Sequence, residues 1–142
     1  MKIIVIDGQG GKMGALLIEK MKASVILSTA ELIAIGTNSI ATAAMLRAGA
    51  DAGATGENPV IVNSKNTDFI AGPIGILAAD SLLGEVTPAM AIAVGQSSAQ
   101  KILLPVNKCN HHIAGVQNLT MQELVADAVR QIEELANQID IA

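Results

Sequence analysis

Short apolar runs alternate along this chain with segments whose apolar residues recur at helical spacing, and that alternation dictates an element list. Ile3-Ile4-Val5-Ile6 predicts a first strand, and Met13, Leu17, Ile18 and Met21 then fall on one stripe of a helix over 11–22. Residues 32–35 predict a second strand, ending in Gly36-Thr37-Asn38. Ile40, Ala43, Ala44 and Leu46 are helically spaced before a stop at Gly49. Residues 49–58, GADAGATGEN, are a loop by composition. Pro59-Val60-Ile61-Val62 predicts a third strand, leaving through Asn63-Ser64-Lys65-Asn66. Phe69-Ile70-Ala71 predicts a fourth, leaving through Gly72-Pro73-Ile74-Gly75 into a helix over 76–83. Thr87 caps a short helix with Pro88 at its first position and Gly95 at its end. Ile102-Leu103-Leu104 predicts a fifth strand, and residues 113–116 a further short strand at the sheet edge. Thr120 and Glu123 form a capping box, with Leu119 placed to staple onto Leu124. Met121, Leu124, Val125, Ala128, Ile132, Leu135 and Ile139 then trace one apolar face of a final helix.

Short apolar strands alternating with helices specify an α/β protein with right-handed parallel crossovers. The expectation is one domain over 1–142, a three-layer sandwich around a mostly parallel sheet of about five strands. In such sheets ligands bind beyond the carboxyl ends of the strands, where the strand order reverses. That rim would gather Asp7, the glycines after it, Thr37, Asn38, Asn63, Gly72 through Gly75 and residues 107–110.

Composition narrows the partners. Apolar residues are 51% of the chain and charged residues 15%, against roughly 25% in an ordinary domain. A surface so short of charge predicts self-association into a homo-oligomer. A net charge of −4, with one Phe and no Trp or Tyr, offers nucleic acid neither a basic patch nor a stacking platform. One cysteine makes no internal disulfide and suits a reducing cytoplasm. The longest apolar run, residues 69–79, is broken by Gly-Pro-Ile-Gly and falls short of the ~20 residues that span a bilayer. The start, with one Lys and four consecutive apolar residues before Asp7, does not read as a secretion signal. A soluble cytoplasmic protein is expected.

The richest local signal is DGQGGKMG, residues 7–14, directly after the first strand. Gly8, Gly11 and Gly14 are spaced G-x-x-G-x-x-G, and Gly10 adds a fourth site without a Cβ. A strand, then glycines, then a helix start brings unpaired N–H groups and a positive dipole end to one place, which suits a pyrophosphate. Gln9, Lys12 and Met13 belong to the same loop, and no Ser or Thr follows Lys12 as a P-loop requires. The stretch VIDGQGGKMG resembles the opening of dihydrodipicolinate reductase. That resemblance implies nicotinamide-cofactor contacts at Gly8, Gly11, Lys12, Met13 and Gly14 and covers about the first twenty residues, so the enzyme's reaction is not inherited. NAD-specific folds usually end the second strand with an acid for the ribose, whereas Gly36-Thr37-Asn38 is neutral. Lys12 or Arg47 could instead face a 2′-phosphate, which leaves NAD against NADP open. Asp7 either holds a cation beside a phosphate or accepts hydrogen bonds from the loop's own N–H groups, and the second role is the expected one.

Other groups offer chemistry of lower specificity. NKCNHH, residues 107–112, carries the sole Cys and both His residues. Asn107, Cys109 and Asn110 are the candidates to sit near a reacting group, although Cys-x-His lacks the further ligands a metal needs. No metal site is expected. Gly72 and Pro73 would bring backbone close to the same cleft, while Asp80 and Glu85 read as helix-surface acids.

IDGQGG, GTNSIATAAMLRAGADAGATGEN, GPIGILAADSLLGEVTPAMA and LLPVNKCN together resemble a family of small bacterial proteins catalogued only as a domain of unknown function. The resemblance spans nearly the whole chain and implies a stand-alone Rossmann-like unit, with no reaction attached. The combined expectation is NAD(P) or another nucleotide bound at residues 8–14, with Thr37, Asn38, Gly72 and Pro73 completing the site. A small oxidoreductase would use the ligand for hydride transfer. A non-catalytic sensor would use it to shift an oligomer.

Overall fold

The computed structural model describes residues 1–106 and 110–141. Its elements in chain order are β1 (Lys2–Asp7), α1 (Lys12–Lys22), β2 (Glu31–Gly36), α2 (Ser39–Arg47), β3 (Ala52–Thr55), α3 (Glu57–Asn63), β4 (Phe69–Pro73), α4 (Pro88–Gln96), β5 (Gln100–Leu104) and α5 (Met121–Ile141). All five strands run parallel in one sheet ordered β3-β2-β1-β4-β5. The order reverses between β1 and β4, so the rim beyond their carboxyl ends is where a ligand is expected.

Two-residue alternation splits the core. Ile3, Val5, Leu32, Ala34, Phe69, Ala71, Ile102 and Leu104 pack on one face with α1, α2 and α5. Ile4, Ile6, Ile33, Ile35 and Ile70 pack on the other with Val60 of α3 and Met90 and Val94 of α4. A parallel sheet buried on both sides explains why its strands are apolar throughout. The α/β three-layer, Rossmann-like fold expected from the pattern is the fold observed.

Four local expectations are corrected. Residues 59–62 lie in α3, not in a strand. A four-residue apolar run has no period that separates a strand from a buried helical turn, and Pro59 in a first turn removes an N–H that has no helical partner anyway. The strand instead comes from the supposed loop: Ala52-Gly53-Ala54-Thr55 pairs with residues 33–36 of β2 as an exposed edge of small residues. Asn63 is thereby moved to the opposite rim, where its Oδ1 accepts from Lys2 Nζ at the start of β1 (3.1 Å). The helix expected over 76–83 is a single 3-10 turn, Ile74–Leu77, followed by an irregular loop. Residues 113–116 form no strand.

The Thr87 cap and the Thr120–Glu123 capping box follow the sequence, and Asn38 adds a cap to α2 not expected from the sequence. Thr87 Oγ1 accepts from Met90 N–H, Asn38 Oδ1 accepts from Ala41 N–H, and Thr120 and Glu123 exchange the two bonds of a capping box. Among the described residues no helix is long and apolar enough to cross a membrane.

Gly72 sets the approach of β4 to β1, because a Cβ there would run into the backbone carbonyl of Ile6. Backbone cannot swing aside as a side chain can. We expect Gly72→Ala to destabilise the protein by roughly 1–3 kcal/mol in urea unfolding, through forced separation of the two central strands.

Candidate functional site

β1 ends in a carboxylate that the fold turns inward. Asp7 is 5% exposed, and both its oxygens accept from backbone: Gly8 N–H to Oδ1 and Gly14 N–H to Oδ2, each at 2.8 Å. One side chain thus ties the strand end to the third residue of α1 across the whole glycine loop. Burial pushes the Asp7 carboxyl up, the Gly14 and Gly8 N–H groups oppose that, and the charge of Glu85 adds to the rise; the net direction is upward.

Three of the loop's four glycines answer to the protein's own packing. A Cβ on Gly8 would lie 2.5 Å from Thr37 Oγ1, 2.9 Å from Leu82 Cδ1 and 3.1 Å from Glu85 Oε1. Gly11 is the left-handed N-cap of α1 (φ 72°), and a Cβ there would sit 2.7 Å from Ala41 Cα of α2. At Gly14 a Cβ would lie 2.5 Å from Met45 Sδ and 2.9 Å from Asp7 Cβ. Gly10 differs, with nothing within 4 Å of the Cβ position.

The donors divide the same way. Gly8 and Gly14 give to Asp7, and Gly11 gives to the carbonyl of Gly8 (2.9 Å). The N–H groups of Gly10, Lys12 and Met13 have no protein acceptor among the described residues. They stand at the positive end of α1, beside the open space over Gly10. Lys12 is exposed, whereas the Met13 side chain is buried, so Met13 offers backbone alone.

A residue that the sequence pattern assigned to a helix surface completes the rim. Glu85 Oε1 accepts from Gln9 N–H (3.0 Å), Thr37 Oγ1–H (2.7 Å) and Asn38 Nδ2 (2.6 Å). Asn38 Nδ2 also gives to the carbonyl of Gln9 (3.0 Å), so the β1 loop, the end of β2 and residue 85 form one network. Burial raises the Glu85 carboxyl, yet the hydrogen bonds from Gln9, Asn38 and Thr37 outweigh it, and the net direction is downward. The loop that delivers Glu85 is closed by Asp80 N–H to the Val86 carbonyl (2.7 Å) and Val86 N–H to the Ser81 carbonyl (3.2 Å). Asp80, Leu82 and Leu83 all adopt left-handed φ, which turns Leu82 into the core and leaves Leu83 exposed. The signal available in the sequence was an acid after Leu-Leu-Gly in a stretch poor in charge, with nothing to show where it folds.

The structure brings Gly8, Gln9, Gly10, Gly11, Lys12, Met13, Gly14, Thr37 and Asn38 together on this rim. Gly72 and Pro73 end the neighbouring β4, but both are buried within the sheet. Arg47 sits in the last turn of α2, about 13.5 Å along that helix from its Asn38 cap and so near the opposite rim. Asn110 lies in an exposed turn with φ 66°. Asn107 and Cys109 lie outside the described residues. His111 and His112 line a cavity of about 320 Å³ with Ile74, Gly75, Leu77, Ala78 and Ile113, after the exit of β4. Among the described residues no group of three or more His, Cys, Asp or Glu side chains could hold a metal ion.

Gly14→Ala is expected to cost roughly 1–3 kcal/mol of stability by overpacking against Asp7 and Met45, and Gly10→Ala to stay within about 0.5 kcal/mol of wild type. Urea midpoints of the two variants check the contrast. The acids give a pH signature. Glu85, lowered from 4.5, contributes stability that is present above 4.5 and lost as the pH falls through its lowered value. Asp7, raised from 3.8, has the opposite sign, its contribution being lost as the pH climbs from 3.8 through its raised value. Glu85→Gln should therefore lose less stability than wild type on acidification below 4.5, read as unfolding midpoints stepped through that range.

Among solved structures, the chain is similar to the dodecameric FMN-dependent Ubix-like decarboxylase from Escherichia coli O157:H7, at 14% identity and a TM-score of 0.46, over 95% of this chain and 93% of that one. No curated protein matches it. A family model matches residues 2–137, and the chain belongs to that family, described as a domain of unknown function, DUF3842.

Proposed function

We propose that the strand-end rim binds a nucleotide, NAD(P) in the most concrete form, with its phosphates over Gly10 at the start of α1. The observation that carries the reading is the coincidence of open space and unpaired donors: nothing lies within 4 Å of the Gly10 Cβ position, and the N–H groups of Gly10, Lys12 and Met13 lack protein acceptors among the described residues. Backbone N–H groups at a helix start, with a lysine beside them, recognise phosphate oxygens without regard to the rest of the ligand. Support also comes from the position of this corner, at the carboxyl end of β1 next to the strand where the sheet order reverses.

A second reading, a sensor whose oligomer responds to the ligand, is favoured by the face carrying α3 and α4. Residues 86–100 contain no charged side chain. Val62 on α3 is 55% exposed and Ile92 on α4 is 57% exposed. Between the helices runs a groove of about 540 Å³, lined by Ile61, Ala89, Ile92 and Ala93 with Ser64, Lys65 and Gln96 among its polar residues. An apolar helix with no polar face suits burial against another copy of the chain.

Thermal unfolding with NAD⁺, NADH, NADP⁺, NADPH, ATP and GTP tests the proposal. Ligand at one hundred times Kd should add about 2.7 kcal/mol of stability. Gly10→Leu, which fills the open space, should abolish the shift while leaving the unliganded midpoint nearly unchanged. Absence of a shift with every nucleotide removes the proposal. Sedimentation with and without the binding nucleotide separates the readings, because a ligand-dependent change of mass without turnover belongs to the sensor.

A further inference from the structure

Glu85 reaches the end of β2 from a distant part of the chain, lying 48 residues beyond Thr37. β2 supplies no acid of its own there, only Gly36, Thr37 and Asn38. The three donors that hold Glu85 all converge on Oε1. Oε2 receives no hydrogen bond from any described residue, and none of the ion pairs among those residues includes Glu85. An ionised carboxylate is therefore held rigidly at the corner between the glycine loop and β2, with one oxygen committed to protein and one available.

We infer that Glu85 reads the ribose of the bound nucleotide, accepting a hydrogen bond from an unphosphorylated 2′-hydroxyl, so that the rim takes NAD-type and rejects NADP-type dinucleotides. The inference rests on the nucleotide reading above and names its ligand class. A carboxylate has only acceptors to offer, so it favours neutral hydroxyl donors and repels a 2′-phosphate. Asp7 places a second acid beside it, both of whose oxygens already accept from backbone N–H. Arg47 lies near the other rim and cannot offset a 2′-phosphate, which leaves Lys12 as the cation of the loop. A bridging cation between the two acids is disfavoured, because both oxygens of Asp7 are already engaged by Gly8 and Gly14 N–H. The two halves of the rim then divide the ligand: phosphates toward Gly10 and Lys12, ribose toward Glu85, Thr37 and Asn38.

Calorimetric titration of the full chain with NAD⁺ and NADP⁺, in wild type and in Glu85→Gln, tests this. Wild type should bind NAD⁺ at least about tenfold tighter than NADP⁺, and the variant should lose about tenfold or more for NAD⁺ and close the gap. Wild-type binding of 2′-deoxy-NAD⁺ gives the same reading without a mutation, and should be weaker than NAD⁺ by a similar factor. Equal or better binding of NADP⁺ by wild type overturns the inference and leaves the nucleotide reading standing. Tighter binding of both nucleotides by Glu85→Gln does the same, since Glu85 would then be an internal occupant of an anion pocket. No binding of either nucleotide by wild type or variant overturns both.

Discussion

Asp7 carries both of its oxygens to backbone donors six residues apart, Gly8 and Gly14, and the geometry of the candidate site depends on that bridge. A carboxylate at the buried end of a central strand is costly unless its lone pairs are occupied. Two charge-assisted bonds occupy them here, and in return the first turn of α1 is held against β1. Gly14 must lack a side chain for the approach to be this close, since Met45 of α2 and Asp7 itself fill the space where a Cβ would project. Strand, loop and two helices are therefore positioned through one side chain. The bridge also decides which donors remain. It consumes the N–H groups of Gly8 and Gly14, while those of Gly10, Lys12 and Met13 have no protein acceptor among the described residues.

The second determinant of the rim is the irregular path of residues 78–86. A helix there, as the apolar spacing suggests, would carry Leu82 and Glu85 in directions set by helical geometry alone. Instead Asp80, Leu82 and Leu83 occupy left-handed φ, at a cost on the order of 1–3 kcal/mol each. Burial of Leu82 beneath Gly8, the closing bonds between Asp80, Ser81 and Val86, and three hydrogen bonds to Glu85 act against that cost. The outcome is an acid held by neutral donors, with its charge stabilised by hydrogen bonding and by no ion pair among the described residues.

Most of the fold was legible because most of its elements are buried on a regular period. β1, β2, β4 and β5 appear as apolar runs, α1 and α5 as apolar stripes, and α4 is announced by Thr87-Pro88. α2 forms where expected, but Ile40 and Leu46 of its expected stripe are exposed and it buries Ala41, Thr42 and Met45 instead. β3 was hidden because an exposed edge strand of Ala, Gly, Ala and Thr buries too little to leave an apolar signature. α3 was misread because Pro-Val-Ile-Val satisfies a strand and a short buried helix equally, and only placement of β3 resolves which. Of the rim, the glycine loop, Thr37 and Asn38 were visible as strand exits. Glu85 was not, since its role depends on a turn fixed by contacts more than forty residues away, which local spacing does not encode.

That asymmetry bears on what a glycine motif means. Gly8, Gly11 and Gly14 make up the G-x-x-G-x-x-G spacing, and each meets protein atoms where its side chain would be. The motif is thus first a packing motif, required wherever a strand end, a helix start and a neighbouring helix crowd around a buried acid. In cofactor-binding loops, too, some of the glycines serve the tight turn and helix–strand packing and not the ligand, so the spacing alone does not identify a ligand. Gly10, outside the motif, is the glycine with open space above it and an unpaired N–H. Asp7 already occupies the Gly8 and Gly14 N–H donors at the start of α1, and Glu85 adds negative charge at the β2 side. An extended anion laid across the whole rim would meet repulsion over half its length. A molecule negative at one end and rich in hydroxyls at the other would not, and that polarity is the physical content of the nucleotide reading.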